Sequence, residues 1–330
     1  MADTADAPTH DELVQRYTGG LAPEPGAIAP FQGSERLRPD GRPQPAFRHE
    51  LRRIDDLRNA WTVAWVLAFP VAVVRAAIAV DHWAFTVLAA LAMGTQFPRY
   101  AILNHEAAHR LLFSNRWWND AIGEKLVGLI TFGDGGNGYR LTHTNHHRDE
   151  FGPREPDFLL YSRYPIAKDS MRRKMTRDAS GVSGWKNLKP ILRGLARPGY
   201  RVRAVKTLGA QAVIFGLFWI AGAPWLYLFV WFIPWMTYWR VVNRLRALAE
   251  HAGMTRSDDR RYTTHHIRQH WLPSFFFVPF NTGYHLAHHV DSGVPWRNLP
   301  VLHRAMEEDG YMAGVVVHPS YRSFWRTLSR

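Results

Sequence analysis

TLGAQAVIFGLFWIAGAPWLYLFVWFIPWMTYW, Thr207 to Trp239, runs for 33 residues without one Asp, Glu, Lys or Arg. Ala221 to Pro224 at its centre has turn chemistry, so the run predicts two apolar helices joined as a hairpin. Each half falls at the short end of the ~20 residues that a bilayer core requires. An uncharged hairpin of this length is hard to bury inside a soluble domain, and lipid solvates it directly.

The pattern occurs once more upstream. NAWTVAWVLAFPVAVVRAAIAVDHWAFTVLAALAMGTQF (Asn59–Phe97) is apolar except at Arg75 and the pair Asp81–His82. Spans are therefore expected at about 60–80, 83–103, 207–222 and 224–240. Pro70, Arg75, Pro98 and Arg99 blemish the first pair. The alternative is a soluble protein with apolar core helices, which the mean hydropathy of −0.27 favours and the uncharged run opposes.

Residues 1–50 are polar and rich in Pro and Gly, and read as a largely irregular lead-in. Residues 51–330 then form the membrane domain. The acidic, polar start MADTADAPTHDEL lacks the pattern of a cleavable signal peptide. Two hairpins place 1–59, 104–206 and 240–330 on one side of the membrane. Segment 104–206 carries nineteen Lys and Arg and the hairpin tips almost none, so the positive-inside rule makes that side cytoplasmic. The net charge of +13 is then mainly a cytoplasmic face resting against anionic headgroups. The 14 Trp, 18 Phe and 12 Tyr favour a membrane over nucleic acid as the partner of that charge. The fold expected is an all-α integral membrane protein, with four transmembrane helices as two hairpins below a cytoplasmic helical cap.

The chain has no cysteine, which excludes thiolate zinc sites, iron–sulfur clusters and cysteine nucleophiles. It has 17 His, and they cluster. HEAAH gives His105 and His109, HTNHH gives His143, His146 and His147, and HLAHH gives His285, His288 and His289. On a helix, residues i, i+3 and i+4 share a face, so each cluster can aim two or three imidazoles at one point. All eight fall on the cytoplasmic side of the expected topology. Eight imidazoles suit two metals with about four ligands each. Donor type alone leaves iron, copper and zinc open.

Taken alone, His105–Glu106–Ala–Ala–His109 has the form of a zinc protease helix with Glu106 as base. That reading leaves six clustered His unexplained, since His143, His146, His147, His285, His288 and His289 have no part in it. A non-catalytic membrane protein with a basic lipid-binding face leaves all eight unexplained. Glu106, Asp149, Glu150, Asp157 and Glu250 adjoin the clusters and are candidates to orient imidazoles from behind. GDGGNG (Gly133–Gly138) matches a dinucleotide fingerprint by letter. Its surroundings predict no strand–turn–helix unit, so it reads as a turn into HTNHH.

HxxxH, HxxHH and HxxHH, in this order across two hairpins, resemble the three histidine boxes of the membrane fatty acid desaturase and hydroxylase superfamily. The likeness runs from about Arg48 to the end and is closest over PFNTGYHLAHHVDSGVPWRNLPVLHR (Pro279–Arg304). It implies two iron ions held by the eight boxed His and by His251 of LAEHAGM, which resembles the extra ligand of that family. Asn281 resembles an Asn that holds a water or metal in some desaturases. His265, His266 and His270 of THHIRQH also have ligand spacing and are read as a connector. The resemblance further implies an O2-dependent oxidoreductase that introduces a double bond into a fatty acyl or lipid-like chain. A hydroxylase acting on a lipid or specialised metabolite is the alternative. Trp61, Trp219 and Trp235 are candidates to line a substrate tunnel. With no haem, flavin or thiolate site of its own, the chain needs an external electron donor such as a ferredoxin-like carrier and its reductase. The location implied is a bacterial inner membrane, with both termini and the metal site cytoplasmic.

Overall fold

A computed structural model describes residues 8–330, so the first seven residues of the polar N-terminal segment lie outside the described residues. The protein is mostly helical. Among the described residues the strands are two short ones, β1 (His266–Ile267) and β2 (Val317–His318), paired in parallel. α1 (Asp56–Val80) starts at Asp55, whose side chain accepts from the Arg58 N–H, and stops where Asp81 turns left-handed at φ 45°. His82 then caps α2 (Trp83–Gly94) through its side chain. This break is the polar pair Asp81–His82 noted in the sequence.

Thr95 ends α2, and the chain resumes as α3 (Gln96–Ala108). Pro98 sits in the first turn of α3, where its missing N–H costs least. A π-helical segment, Asn119–Val127, packs beside α3. Gly133–Gly138 is a turn: Asp134 Oδ1 accepts from the Gly136 N–H at 3.0 Å, and α4 (Gly138–Arg148) follows directly. No strand precedes this turn among the described residues, so it has no dinucleotide-binding context.

α5 (Pro198–Ile220) rises to the tip at Gly222, which takes φ +78°. The return leg is segmented into Pro224–Leu226, a π-helical Tyr227–Phe232 and Ile233–Met236. It then continues as α6 (Tyr238–His251). Gln211, buried on α5, is fully used. Its amide donates to the Leu129 and Ile130 carbonyls, and its oxygen accepts from Tyr227 Oη and Trp231 Nε1. Such saturation is what a polar group in an apolar medium requires.

Two helical segments, Pro45–Val80 and Pro198–Ile220, are long and apolar enough to cross a membrane. Only 17% and 22% of their most apolar windows is buried in the protein, so most of their apolar surface faces outward. Leu88, Leu91, Val213, Leu217 and Ile220 face outward. The main core lies between the hairpins, with Val66, Met93, Phe97, Leu103, Leu226, Val230 and Trp231 at its centre. α7 (His285–Val290) and α8 (Leu299–Glu308) form a separate cluster with Leu37 and Leu51 of the N-terminal region.

Candidate metal centre

The four helices that end or begin at the cytoplasmic side of the expected topology bring all nine sequence-identified imidazoles together. α3 supplies His105, with His109 at its C-terminal cap, and α4 supplies His143, His146 and His147. His251 is the last residue of α6, and α7 supplies His285, His288 and His289. They form two adjoining groups. His105, His109, His143, His147 and His288 make one, and His146, His251, His285 and His289 the other, with donor atoms within 4.8 Å of one another in each.

The division follows helical geometry. His143 and His147 are one turn apart and share a face, while His146 is rotated from His147 by about 100° into the other group. In the third box, His285 and His289 pair in this way and His288 crosses over. The boxes are thus shared between the two groups. The split is five and four, against the expected four and four with His251 as a ninth.

The inward atoms are Nε2. His109 and His143 approach at 2.8 Å, His143 and His147 at 3.1 Å, His147 and His288 at 3.1 Å, and His251 and His285 at 3.1 Å. A neutral imidazole has one donor and one acceptor, so successive Nε2 contacts along 109–143–147–288 cannot all be good hydrogen bonds. His289 Nε2 is buried with no hydrogen-bond partner among the described residues. Leaving such an atom unsatisfied costs about 1–3 kcal/mol, and metal ligation removes that cost. On the outer side, His146 Nδ1 donates to Glu155 Oε2 at 2.8 Å and His251 Nδ1 donates to the Thr263 carbonyl at 2.8 Å. His289 Nδ1 lies against Glu150, which also receives Arg260. His285 Nδ1 lies 3.9 Å from Glu250 Oε1. Outer partners of this kind fix the tautomer that turns an Nε2 lone pair inward. The donor set therefore fits a pair of nitrogen-ligated metal ions.

Burial first, and the mutual proximity of the rings second, hold His105, His143, His147, His285, His288 and His289 well below the usual imidazole range. His109 is pushed down to about 3 by burial and by nearby cations. Burial lowers His251 as well. His146 goes the other way: burial lowers it, but the hydrogen bond and charge of Glu155, with the charges of Glu150 and Asp157, together raise it. Neutral rings are what metal ligation needs.

The other singled-out residues divide. Glu106 turns away from the imidazoles, and its Oε1 accepts from the Trp296 N–H at 2.9 Å. Asp149 accepts from Arg154. Glu250 pairs with Arg246 at 2.6 Å. Asn281 donates to the Trp296 carbonyl at 3.3 Å. His265 Nε2 bonds the Ala252 carbonyl at 2.7 Å, and His270 caps a short surface helix. His266 faces His303, apart from the two groups. Trp61 and Trp219 are exposed on the outer surface, while Trp235 is buried and stacks on Phe132.

Two orienting groups escaped sequence reading, Glu155 and the Thr263 carbonyl. Glu155 reaches His146 through a loop reversal nine residues on, and a backbone carbonyl carries no residue-type signal.

A cavity of about 380 Å³ touches both groups at His105, His143, His146 and His285. Its remaining wall is mixed: Asp157, Asn243, Arg246 and Glu250 stand beside Leu160, Ala247 and the rings of Tyr139 and Tyr161. A separate apolar cavity of about 240 Å³ lies between α1, α3 and α5, against Leu67, Val71, Tyr100, Ile214 and Trp231.

Comparison with known proteins agrees with this geometry. The sequence profile of the fatty acid desaturase family matches residues 81–321. Dihydrorhizobitoxine desaturase of Bradyrhizobium elkanii is 25% identical, over 78% of this chain and 78% of its own length. An sn-1 oleoyl-lipid 12-desaturase of Arthrospira platensis is 20% identical, over 74% of this chain and 75% of its own.

Proposed function

The chain belongs to the fatty acid desaturase family of oxidoreductases, and we propose that it is an O2-dependent di-iron desaturase of a fatty acyl or lipid-like chain. The observation that carries the reading is the pair of adjoining histidine groups, five and four, with outer nitrogens held by Glu155 and Thr263. His105, His109, His143, His147 and His288 would hold one iron, and His146, His251, His285 and His289 the other. Iron bound there supplies O2 activation and removal of hydrogen from an unactivated C–H bond.

The protein's own part is placement. α3, α4, α6 and α7 fix the nine rings from four directions, and Glu155 and the Thr263 carbonyl set the tautomers of His146 and His251. Burial keeps nearly all of the rings unprotonated. The cavity beside His105, His143, His146 and His285 would admit a substrate carbon next to both groups. The two electrons that the reaction consumes come from outside. A chain with no cysteine holds no iron–sulfur or rubredoxin-type centre, so a separate ferredoxin-like carrier and its reductase are the donors proposed.

The exposed apolar helices support the reading of residues 51–330 as a four-span domain, with spans near 60–80, 83–103, 207–222 and 224–240. The nineteen Lys and Arg of 104–206 support a cytoplasmic centre in a bacterial inner membrane.

Both relatives are named as desaturases, which favours double-bond formation over hydroxylation. A second reading rests on the cavity wall. Asp157, Asn243, Arg246 and Glu250 favour a specialised metabolite with polar groups near the reacting carbon over a bare hydrocarbon segment, and hydroxylation of such a molecule uses the same ligands. Expression in a host with a ferredoxin system, followed by mass spectrometry of lipids and polar metabolites, tests both. Loss of two hydrogens from one product class is expected, and gain of one oxygen would make the enzyme a hydroxylase. Product surviving in His146→Ala or His288→Ala would overturn the di-iron assignment.

A further inference from the structure

THHIRQH contains a histidine that the centre described above does not use. His266 lies on β1, and the fold sets it opposite α8, where His303 and Glu307 are one turn apart and share a face. One donor atom of each lies within 4.8 Å of the others. His303 Nε2 is 3.5 Å from Glu307 Oε1, and the rings of His266 and His303 are 4.8 Å apart. Both imidazoles are 7% exposed, while Glu307 stands at the rim. His303 Nδ1 is buried with no hydrogen-bond partner among the described residues. His303 Nε2 thus faces an exposed carboxylate, with a second buried imidazole beside it.

We propose that His266, His303 and Glu307 bind one divalent first-row cation, zinc by preference, separate from the nine-histidine centre. Two nitrogens and one oxygen are a borderline donor set. Calcium and magnesium take oxygen ligands, and zinc accepts three protein ligands with a fourth position left to water. With ligand bonds of about 2.0–2.1 Å, two ligands of one tetrahedral ion stand roughly 3.3 Å apart, close to the 3.5 Å between His303 and Glu307. Burial pushes both His266 and His303 down to about 4, so their lone pairs are free at neutral pH.

The ion would clasp β1 to α8, and both ends bear on the catalytic centre. β1 begins three residues after Thr263, whose carbonyl holds His251. Tyr284, which immediately precedes α7, packs its ring 4.9 Å from that of His303. The clasp is therefore a structural staple beneath the segments that carry His251, His285, His288 and His289.

The test uses the full chain in detergent, loaded with iron, equilibrated with Zn2+, desalted and analysed for both metals. Wild type is expected to retain a single zinc ion per chain beyond its iron. Glu307→Gln, at an exposed position that leaves folding intact, is expected to lose that zinc and keep the iron. His146→Ala is expected to lose iron and keep the zinc. Added Zn2+ should raise the unfolding temperature of wild type and leave that of Glu307→Gln unchanged. Wild type with no zinc beyond the iron centre would overturn the proposal, as would zinc kept at the wild-type level by both Glu307→Gln and His266→Ala.

Discussion

Glu106 and Glu155 show how little a carboxylate's place in the sequence says about its use. Glu106 adjoins His105, yet its side chain takes the Trp296 amide, and burial pushes its carboxyl up to about 8. It is then protonated at pH 7 and acts as a hydrogen-bonding spacer. Glu106→Gln preserves the acceptor and the shape, so iron content and turnover should stay within a few-fold of wild type. A protease base in that position would lose about 10²–10⁴-fold on the same change. Glu155 is nine residues from His146 and holds its outer nitrogen. Glu155→Gln should weaken iron binding by about 10–100-fold, measured by competition with a chelator, while the helical circular dichroism signal is retained. The eight boxed imidazoles could be read from the sequence because offsets of three and four residues translate directly into shared helix faces, and His251, a lone histidine in its stretch, only through the family resemblance. Glu155 could not, since its approach depends on the loop reversal through Gly152 and Pro153. Nor do offsets alone reveal that His146 parts company with His143 and His147.

At the scale of elements, two features went beyond hydropathy. The expected span over 83–103 is interrupted at Thr95, whose hydroxyl folds back to the Ala92 carbonyl at 2.7 Å, and α3 restarts with Pro98 in its first turn. A hydropathy window does not register that break, since every residue from Trp83 to Phe97 is uncharged. The N-terminal region is the second feature. Its composition predicts an irregular lead-in, yet Leu37 is buried against α7 and α8. Arg36 pairs with Asp309, Ser34 Oγ donates to the same carboxylate at 2.5 Å, and Arg48 and Arg52 converge on Asp291, each at 2.6 Å. Such contacts are long-range pairings that no local pattern encodes. Hydrogen bonds from Arg36 hold the Asp309 carboxyl below its ordinary value. A depressed folded value contributes stability above the unfolded value near 4, and that contribution is lost as pH falls through the folded one. At pH 7, Asp309→Asn should therefore unfold about 1 kcal/mol more easily than wild type, a modest figure because Arg36 is partly exposed. The gap should close below about pH 4. Chemical unfolding of both proteins at pH 7, 5 and 3 measures it, and a gap independent of pH would show that the ion pair does not hold the segment.

For the whole molecule, the decisive property is where the apolar surface lies. Trp61, Trp83, Leu88, Leu217, Trp219 and Ile220 are exposed, and they lie on the long apolar helices and their continuations rather than scattered over the surface. Hydropathy located the two helices long and apolar enough to cross a membrane, because such helices carry apolar residues all round. It could not show that the segments expected as the second and fourth spans are broken. The proposed orientation rests on charge asymmetry, with nineteen Lys and Arg in 104–206, the segment that carries two of the histidine boxes, and none at the Ala221–Ala223 tip. The absence of native cysteine permits a direct test. Single cysteines at His82 and Ala221, the exposed tips of the two hairpins, should react with a membrane-impermeant maleimide in intact spheroplasts. A cysteine at Ser180, exposed in the basic segment, should react only after lysis. The opposite pattern would turn the histidine centre outward, away from the cytoplasmic electron carriers on which the proposed reaction depends. Labelling at Ser180 and at both tips alike in intact spheroplasts would mean that the hairpins do not cross the bilayer.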